Sequence, residues 1–137
     1  MKKGFLYILS NPVIKGLKIG ISRYHPEDRV RKLSEPTGVP KPYKIEYWGI
    51  FDNYEIVEKK THKKFHKYLI GKETFDVNLL DTYRFVKSLS PEIEMIYKDL
   101  KTQLDVFSYK QKEIRCSAIK DRLLEYEQKM FKEHLAE

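Results

Sequence analysis

The chain has a single cysteine, Cys116, so no internal disulfide closes a loop and no cysteine cluster offers a structural zinc site. It has no apolar run near the roughly 20 residues that a membrane-spanning helix needs. All six glycines lie at or before residue 71, and all six prolines at or before residue 91. From Glu92 to Glu137, therefore, nothing in the sequence readily breaks a helix. Internal repeats and low-complexity segments are absent as well. The opening residues, MKKGFLYILSNP, set two lysines before an apolar stretch, but that stretch runs only from Phe5 to Leu9. A secretory core needs roughly 7–15 such residues. The segment reads as a first strand, and the protein as cytoplasmic.

What is present fits a soluble α+β domain with an appendage. Hydrophobic residues make up 41% of the chain and charged residues 34%, a balance that argues against global disorder. The formal charge is +7, and its placement is uneven: residues 1–90 carry a net +8 and residues 91–137 a net −1. A basic domain with a near-neutral tail points to a polyanionic partner for the domain and a different task for the tail.

Two short apolar runs, Phe5–Leu9 and Leu17–Ile21, flank a segment rich in turn residues and predict a β-hairpin. A helix should follow, with Pro26 in its first turn, Glu27 and Asp28 at its positive end, and Val30 and Leu33 facing inward. Three prolines and a glycine between Ser34 and Pro42 make a loop. Tyr43–Phe51 predicts a third strand, central and well covered. Tyr54–Leu69 and Asn78–Ser88 predict helices, joined by a turn with a short extended piece at 71–77. Ser90-Pro91-Glu92 carries helix-start residues, so a helical tail is expected from residue 90 onward. The polar stretch Ser108–Arg115 leaves open one long helix or two. Cys116, Ile119, Leu123, Tyr126 and Met130 alternate spacings of three and four, as along a coiled-coil seam.

The hairpin and first helix bring three phosphate-handling groups into one neighbourhood: the phenol of Tyr7, the amine of Lys18 and the guanidinium of Arg29. On the next helix, Glu58 and His62 lie one turn apart on one face. His62 and His66 have the spacing of a zinc pair but lack an evident third ligand. Lys59 and Lys63 on that helix, with Arg31 and Lys32 on the first, are suited to following a nucleic-acid backbone.

These pieces resemble a known family. Phe5-Leu6-Tyr7, followed about ten residues later by Lys18-Ile19-Gly20, resembles the paired motifs of the GIY-YIG nuclease superfamily. The run from Glu27 to Ser34, then Thr37-Gly38-Val39-Pro40, Glu58-x3-His62 and Glu73-Thr74-Phe75, is similar to the branch named after a phage T5 open reading frame. The resemblance covers roughly residues 4–86 and leaves the tail outside. It implies a small three-stranded antiparallel sheet flanked by helices, in residues 1–89. It implies an endonuclease that hydrolyses DNA phosphodiester bonds, with Tyr7 near the attacking water, Arg29 on the phosphate and Glu58 holding one divalent ion, Mg²⁺ or Mn²⁺. Lys18 stands where the wider superfamily has tyrosine, either as a proton acceptor or as a charge on the phosphate. His62 would be a hydrogen-bond donor or a proton shuttle. The alternative is a non-catalytic nucleic-acid-binding module of the same fold. The tail, residues 90–137, is expected to serve dimerisation or partner docking.

Overall fold

The first part of the chain is built around β1 (Lys3–Ser10). Its middle, Leu6-Tyr7-Ile8-Leu9, is at most 1% exposed, because it is paired on both sides. β2 (Leu17–Ser22) runs antiparallel along one side, and β3 (Lys44–Asp52) along the other. The β1–β2 connection passes through Gly16, whose φ of 89° lies where a side chain is strained. Asn11 braces the same turn by accepting from the Val13 amide at 3.0 Å. The computed structural model describes residues 2–34 and 41–135, with side chains as far as residue 130 apart from Ser34. The Thr37–Pro40 motif therefore lies outside the described residues.

Two more strands widen the sheet to the order β4-β2-β1-β3-β5, all antiparallel. β4 (Thr74–Phe75) is the short extended piece expected after Gly71. β5 (Ile93–Ile96) pairs with β3 from Tyr47 to Ile50. The class is thus the expected α+β, with five strands where three were expected.

The helix start at Ser90-Pro91-Glu92 is not realised. Ser90 has φ 62°, a left-handed conformation, and its amide donates to the Lys87 carbonyl at 3.1 Å, so it ends the preceding helix. The Glu92 amide then donates to Ile50 O at 2.9 Å and starts β5. Tertiary contacts override the local signal here. β5 also carries its polar and apolar residues the wrong way round for a sequence reading. Ile93 and Met95 are 59% and 45% exposed, while Glu94 turns inward and accepts from Tyr47 and Tyr83.

The helices are α1 (Pro26–Ser34), α2 (Tyr54–Phe65), α3 (Leu79–Ser88) and α4 (Lys98–Leu135). α2 gives way to a 3-10 turn over His66–Tyr68, earlier than the expected end at Leu69. α3 is capped by Asn78, whose side chain accepts from the Asp81 amide at 2.8 Å. Register partners share a sheet face. Leu6, Ile8, Ile19 and Tyr47 stand on one face, and α2 packs on β1 and β2 there. Rings join the layers, with Tyr47 and Tyr83 5.3 Å apart and Phe65 and Phe85 5.6 Å apart. Tyr7, Gly20 and Trp48 share the opposite face, and α1 lies against β3.

The chain divides into two compact units, one ending at Lys101 and the other beginning at Thr102. α4 is a single helix without a break at 108–115. In the second unit its described side chains are exposed almost throughout, Ile119, Leu123 and Tyr126 among them at 56–60%.

Candidate active site

The site grows from one steric fact. Tyr7 on β1 has Gly20 of β2 as its register partner. A Cβ built on Gly20 would fall 2.5 Å from the Tyr7 hydroxyl oxygen. The phenol thus lies across β2, over a residue whose missing side chain leaves room for it. The ring is 1% exposed, and its hydroxyl is carried toward the β2 edge.

Arg29 comes to that hydroxyl from α1. His25 caps this helix: its Nδ1 accepts from the Glu27 amide at 3.2 Å, and its carbonyl accepts from the Asp28 and Arg29 amides at 3.1 and 3.4 Å. With the first turn fixed, the Arg29 guanidinium stands close enough to the Tyr7 hydroxyl to favour its ionised form. Burial pushes the phenol above its ordinary value, and Arg29 and Lys18 only partly offset this. Tyr7 is therefore a neutral phenol at pH 7.

Lys18 and Glu73 form the next pair. Lys18 is register partner to Leu9 and to Thr74, and its side chain is 14% exposed. Its Nζ lies 3.1 Å from Glu73 Oε2, and the Glu73 carbonyl accepts from the Ile19 amide at 3.0 Å. Glu73 is thus held at both ends, and the Lys18 amine is committed to a carboxylate.

α2 supplies Glu58 and His62. His62 Nε2 lies 2.9 Å from the Ile19 carbonyl. A carbonyl only accepts, so Nε2 carries the hydrogen and the imidazole ties α2 to the backbone of β2. The Phe75 ring sits 5.0 Å from it. One turn earlier, Glu58 is half-buried. Burial pushes its carboxyl up, as do the charges of Glu73 and Glu55, while His62 and Lys18 draw it down. The net displacement is upward. Glu58 makes no hydrogen bond or ion pair among the described residues.

No group of three His, Cys, Asp or Glu among the described residues is placed to hold a metal, so His62 and His66 gain no third ligand for zinc. A partly desolvated carboxylate without a partner does suit a hard divalent ion that keeps most of its water. Glu58 is the residue that would hold such an ion.

Tyr7 thus neighbours Arg29 and Lys18, and the Lys18–Glu73 pair in turn neighbours Glu58, with His62 beside it. Of the backbone-following candidates, Lys32 lines one surface hollow with Arg29. Lys59 and Lys63 are exposed on α2, and Lys32 on α1. Arg31 is exposed and bridges Asp28 at 3.0 Å, a pair of little energetic weight. Two contributors escape a reading of the sequence. Gly20 matters as a space, which becomes visible only once the register is known. His25 caps α1 at a position usually held by Ser, Thr, Asn or Asp, and only its place before Pro26 hints at the role.

Residues 4–90 match the T5orf172 domain model. The chain belongs to the T5orf172 domain family. No curated protein matches it, and no solved structure does. The T5orf172 domain spans β1 through α3, so every residue named at the site falls inside it. Membership is compatible with a nuclease-like or nucleic-acid-binding module. Among the described residues, no helix is long and apolar enough to cross a membrane.

Proposed function

We propose that the T5orf172 domain of this chain is a divalent-metal-dependent endonuclease that hydrolyses DNA phosphodiester bonds, as its resemblance to the GIY-YIG nucleases implies. The observation that carries this reading is the meeting of Tyr7, Arg29 and Lys18 with a carboxylate, Glu58, that has no partner among the described residues.

The residues divide the work as follows. Arg29, beside the Tyr7 hydroxyl, holds the scissile phosphate with its planar fork. The Tyr7 oxygen, beside Arg29, has lone pairs to accept from the attacking water, so the phenol orients the nucleophile. Its own proton is free for a phosphate oxygen. Lys18, held by Glu73, adds positive charge where the transition state gains negative charge. His62 keeps Glu58 at the β2 edge through its bond to Ile19. Mg²⁺ or Mn²⁺ held by Glu58 would supply Lewis-acid stabilisation of the phosphate oxygens. The bond formed is from water oxygen to phosphorus, and the bond broken is from phosphorus to the leaving sugar oxygen; the water's proton passes to the Tyr7 oxygen as the phenol's own proton passes to a phosphate oxygen, and the leaving oxygen takes up a proton from solvent water. Lys59, Lys63, Arg31 and Lys32 contribute sequence-independent contacts to the backbone. DNA as substrate and a single exposed thiol at Cys116 suit the cytoplasm.

The test is cleavage of supercoiled plasmid with Mg²⁺ or Mn²⁺ beside a Glu58→Ala variant. Nicking by the wild type alone supports the assignment. Retardation of DNA without cleavage by either protein replaces it with a non-catalytic binding module. The one observation that favours that second reading is the commitment of Lys18, in the position of the superfamily tyrosine, to Glu73.

The tail, residues 90–137, we assign to dimerisation or partner docking through α4. Ile119, Leu123, Tyr126 and Met130 along its seam are 49–60% exposed, far more than a helix with its own core would leave. Sedimentation at micromolar concentration separates the two: a mass of two chains identifies the dimer, and a mass of one leaves docking.

A further inference from the structure

Beside Tyr7 lies an aromatic cluster that the proposed chemistry does not use. Phe5 stands two residues before Tyr7 on the same face of β1, about 7 Å away along the strand. Trp48 is the β3 register partner of Tyr7. His25 completes the group from the head of α1. The three ring centroids lie 5.3–5.5 Å from one another, each pair tilted or edge-on. Trp48 is fixed by a hydrogen bond from its Nε1 to the Tyr97 hydroxyl at 3.2 Å. The cluster is not sealed. His25 is exposed and Phe5 and Trp48 are partly so, and the surface runs on across Met95, the β5 partner of Trp48, which is 45% exposed.

Its position identifies its occupant. The residue that caps α1, His25, is in the cluster, and one turn on α1 carries Arg29 beside the Tyr7 hydroxyl. A strand whose phosphate sits on Arg29 has its neighbouring base within reach of these rings. Ring faces beside cationic side chains are the arrangement that binds unpaired bases. A base inside a duplex is already stacked and presents no face to them.

We propose that Phe5, His25 and Trp48 form a stacking platform for an unpaired nucleobase next to the phosphate held by Tyr7 and Arg29. The substrate class is then DNA with single-stranded character at the cut. This rests on the nuclease reading for where the phosphate lies, but not on cleavage itself.

Trp48 is the only tryptophan in the chain, so its emission reports this one spot. The wild-type protein is titrated in EDTA with a short end-labelled single strand, with its duplex, and with an abasic strand of equal length. Label anisotropy follows binding, and tryptophan emission follows stacking. The expected result is that the base-bearing strand binds and quenches Trp48, while the abasic strand and the duplex bind without quenching. A Phe5→Leu variant, which keeps the strand apolar but removes a ring, should bind the base-bearing strand about tenfold more weakly and the abasic strand unchanged. Binding without quenching overturns the platform and leaves this face to another partner. Equal quenching by the abasic strand or the duplex overturns it as well, since Trp48 then senses backbone binding. Absence of binding also overturns it. Metal-dependent plasmid cleavage, measured separately, decides whether the nuclease reading falls with it.

Discussion

One sheet carries two clusters made of the same residue types. At the β5 side, Glu94 accepts from the Tyr47 hydroxyl at 3.0 Å, the Tyr83 hydroxyl at 3.1 Å and Lys87 Nζ at 2.6 Å. At the β2 side, Glu58 lies near Lys18, His62 and Glu73 and makes none of these bonds among the described residues. In the first cluster the carboxylate is satisfied three times over, and it fastens β5 and α3 to β3. The Tyr47 hydroxyl is pushed far up, first by burial and then by the Glu94 charge, so it remains a fixed donor at any ordinary pH. In the second, the carboxylate is half-buried and has no partner among the described residues, so its pairing capacity is open to solvent or a ligand. Tyrosine, lysine and glutamate thus build a fastening in one place and a candidate site in another. What separates them is whether the acceptor is already used.

The sharpest break in this comparison is a pair of truncations. Glu58→Ala should reduce plasmid cleavage about a thousandfold or more without lowering the melting temperature. Glu94→Ala should do the opposite. It strands the buried Tyr47 hydroxyl and costs about 2–3 kcal/mol of stability, read by urea denaturation, while cleavage per folded molecule holds. If Glu94→Ala leaves stability unchanged, the contrast collapses. Next in size is Gly20→Ala. The new Cβ would meet the Tyr7 oxygen at 2.5 Å, and a phenol displaced by about 1 Å should cost about a hundredfold in rate. DNA affinity measured by gel retardation should change little. Smaller again is Tyr83→Phe, which removes one of three donors to Glu94 and should cost about 1 kcal/mol. A value near zero would show that Tyr47 and Lys87 suffice.

The two clusters were not equally legible in the sequence. Tyr7, Lys18, Arg29 and Glu58 stand out because they fall at motif spacings on elements whose hydrophobic patterns are regular. β1, β2 and β3 come out within a residue or two of their observed ends, and α3 likewise. The Glu94 cluster is illegible for a physical reason. β5 faces its glutamate inward and its Ile93 and Met95 outward, which inverts the alternation a strand normally shows. Its predecessor Ser90-Pro91 imitates a helix start, and only the pairing with β3 overrules it. β4 is two residues long, too short for any periodic signal. Gly20 belongs to a recognisable motif, but its use as a space for the Tyr7 ring depends on register, which a sequence does not state. α4 runs unbroken because its polar stretch contains no residue that costs a helix much.

The smallest expected effect is the most direct measure of the difference between the two carboxylates. Glu58 has a folded-state pKa above the ordinary 4.5, so the native chain holds a proton that the unfolded chain has released across the window between those values. Stability must therefore fall as pH rises through that window. Glu58→Gln removes this dependence and leaves a side chain that needs no proton. The variant should match the wild type below the window and melt slightly higher above it, where the wild type carries an unpaired, partly buried charge. Melting curves of both proteins from pH 4 to 8 check this, and Mg²⁺ at neutral pH should raise the wild type alone. If Glu58→Gln instead melts lower at neutral pH, Glu58 is a satisfied structural group like Glu94, and the distinction between site and scaffold on this sheet disappears.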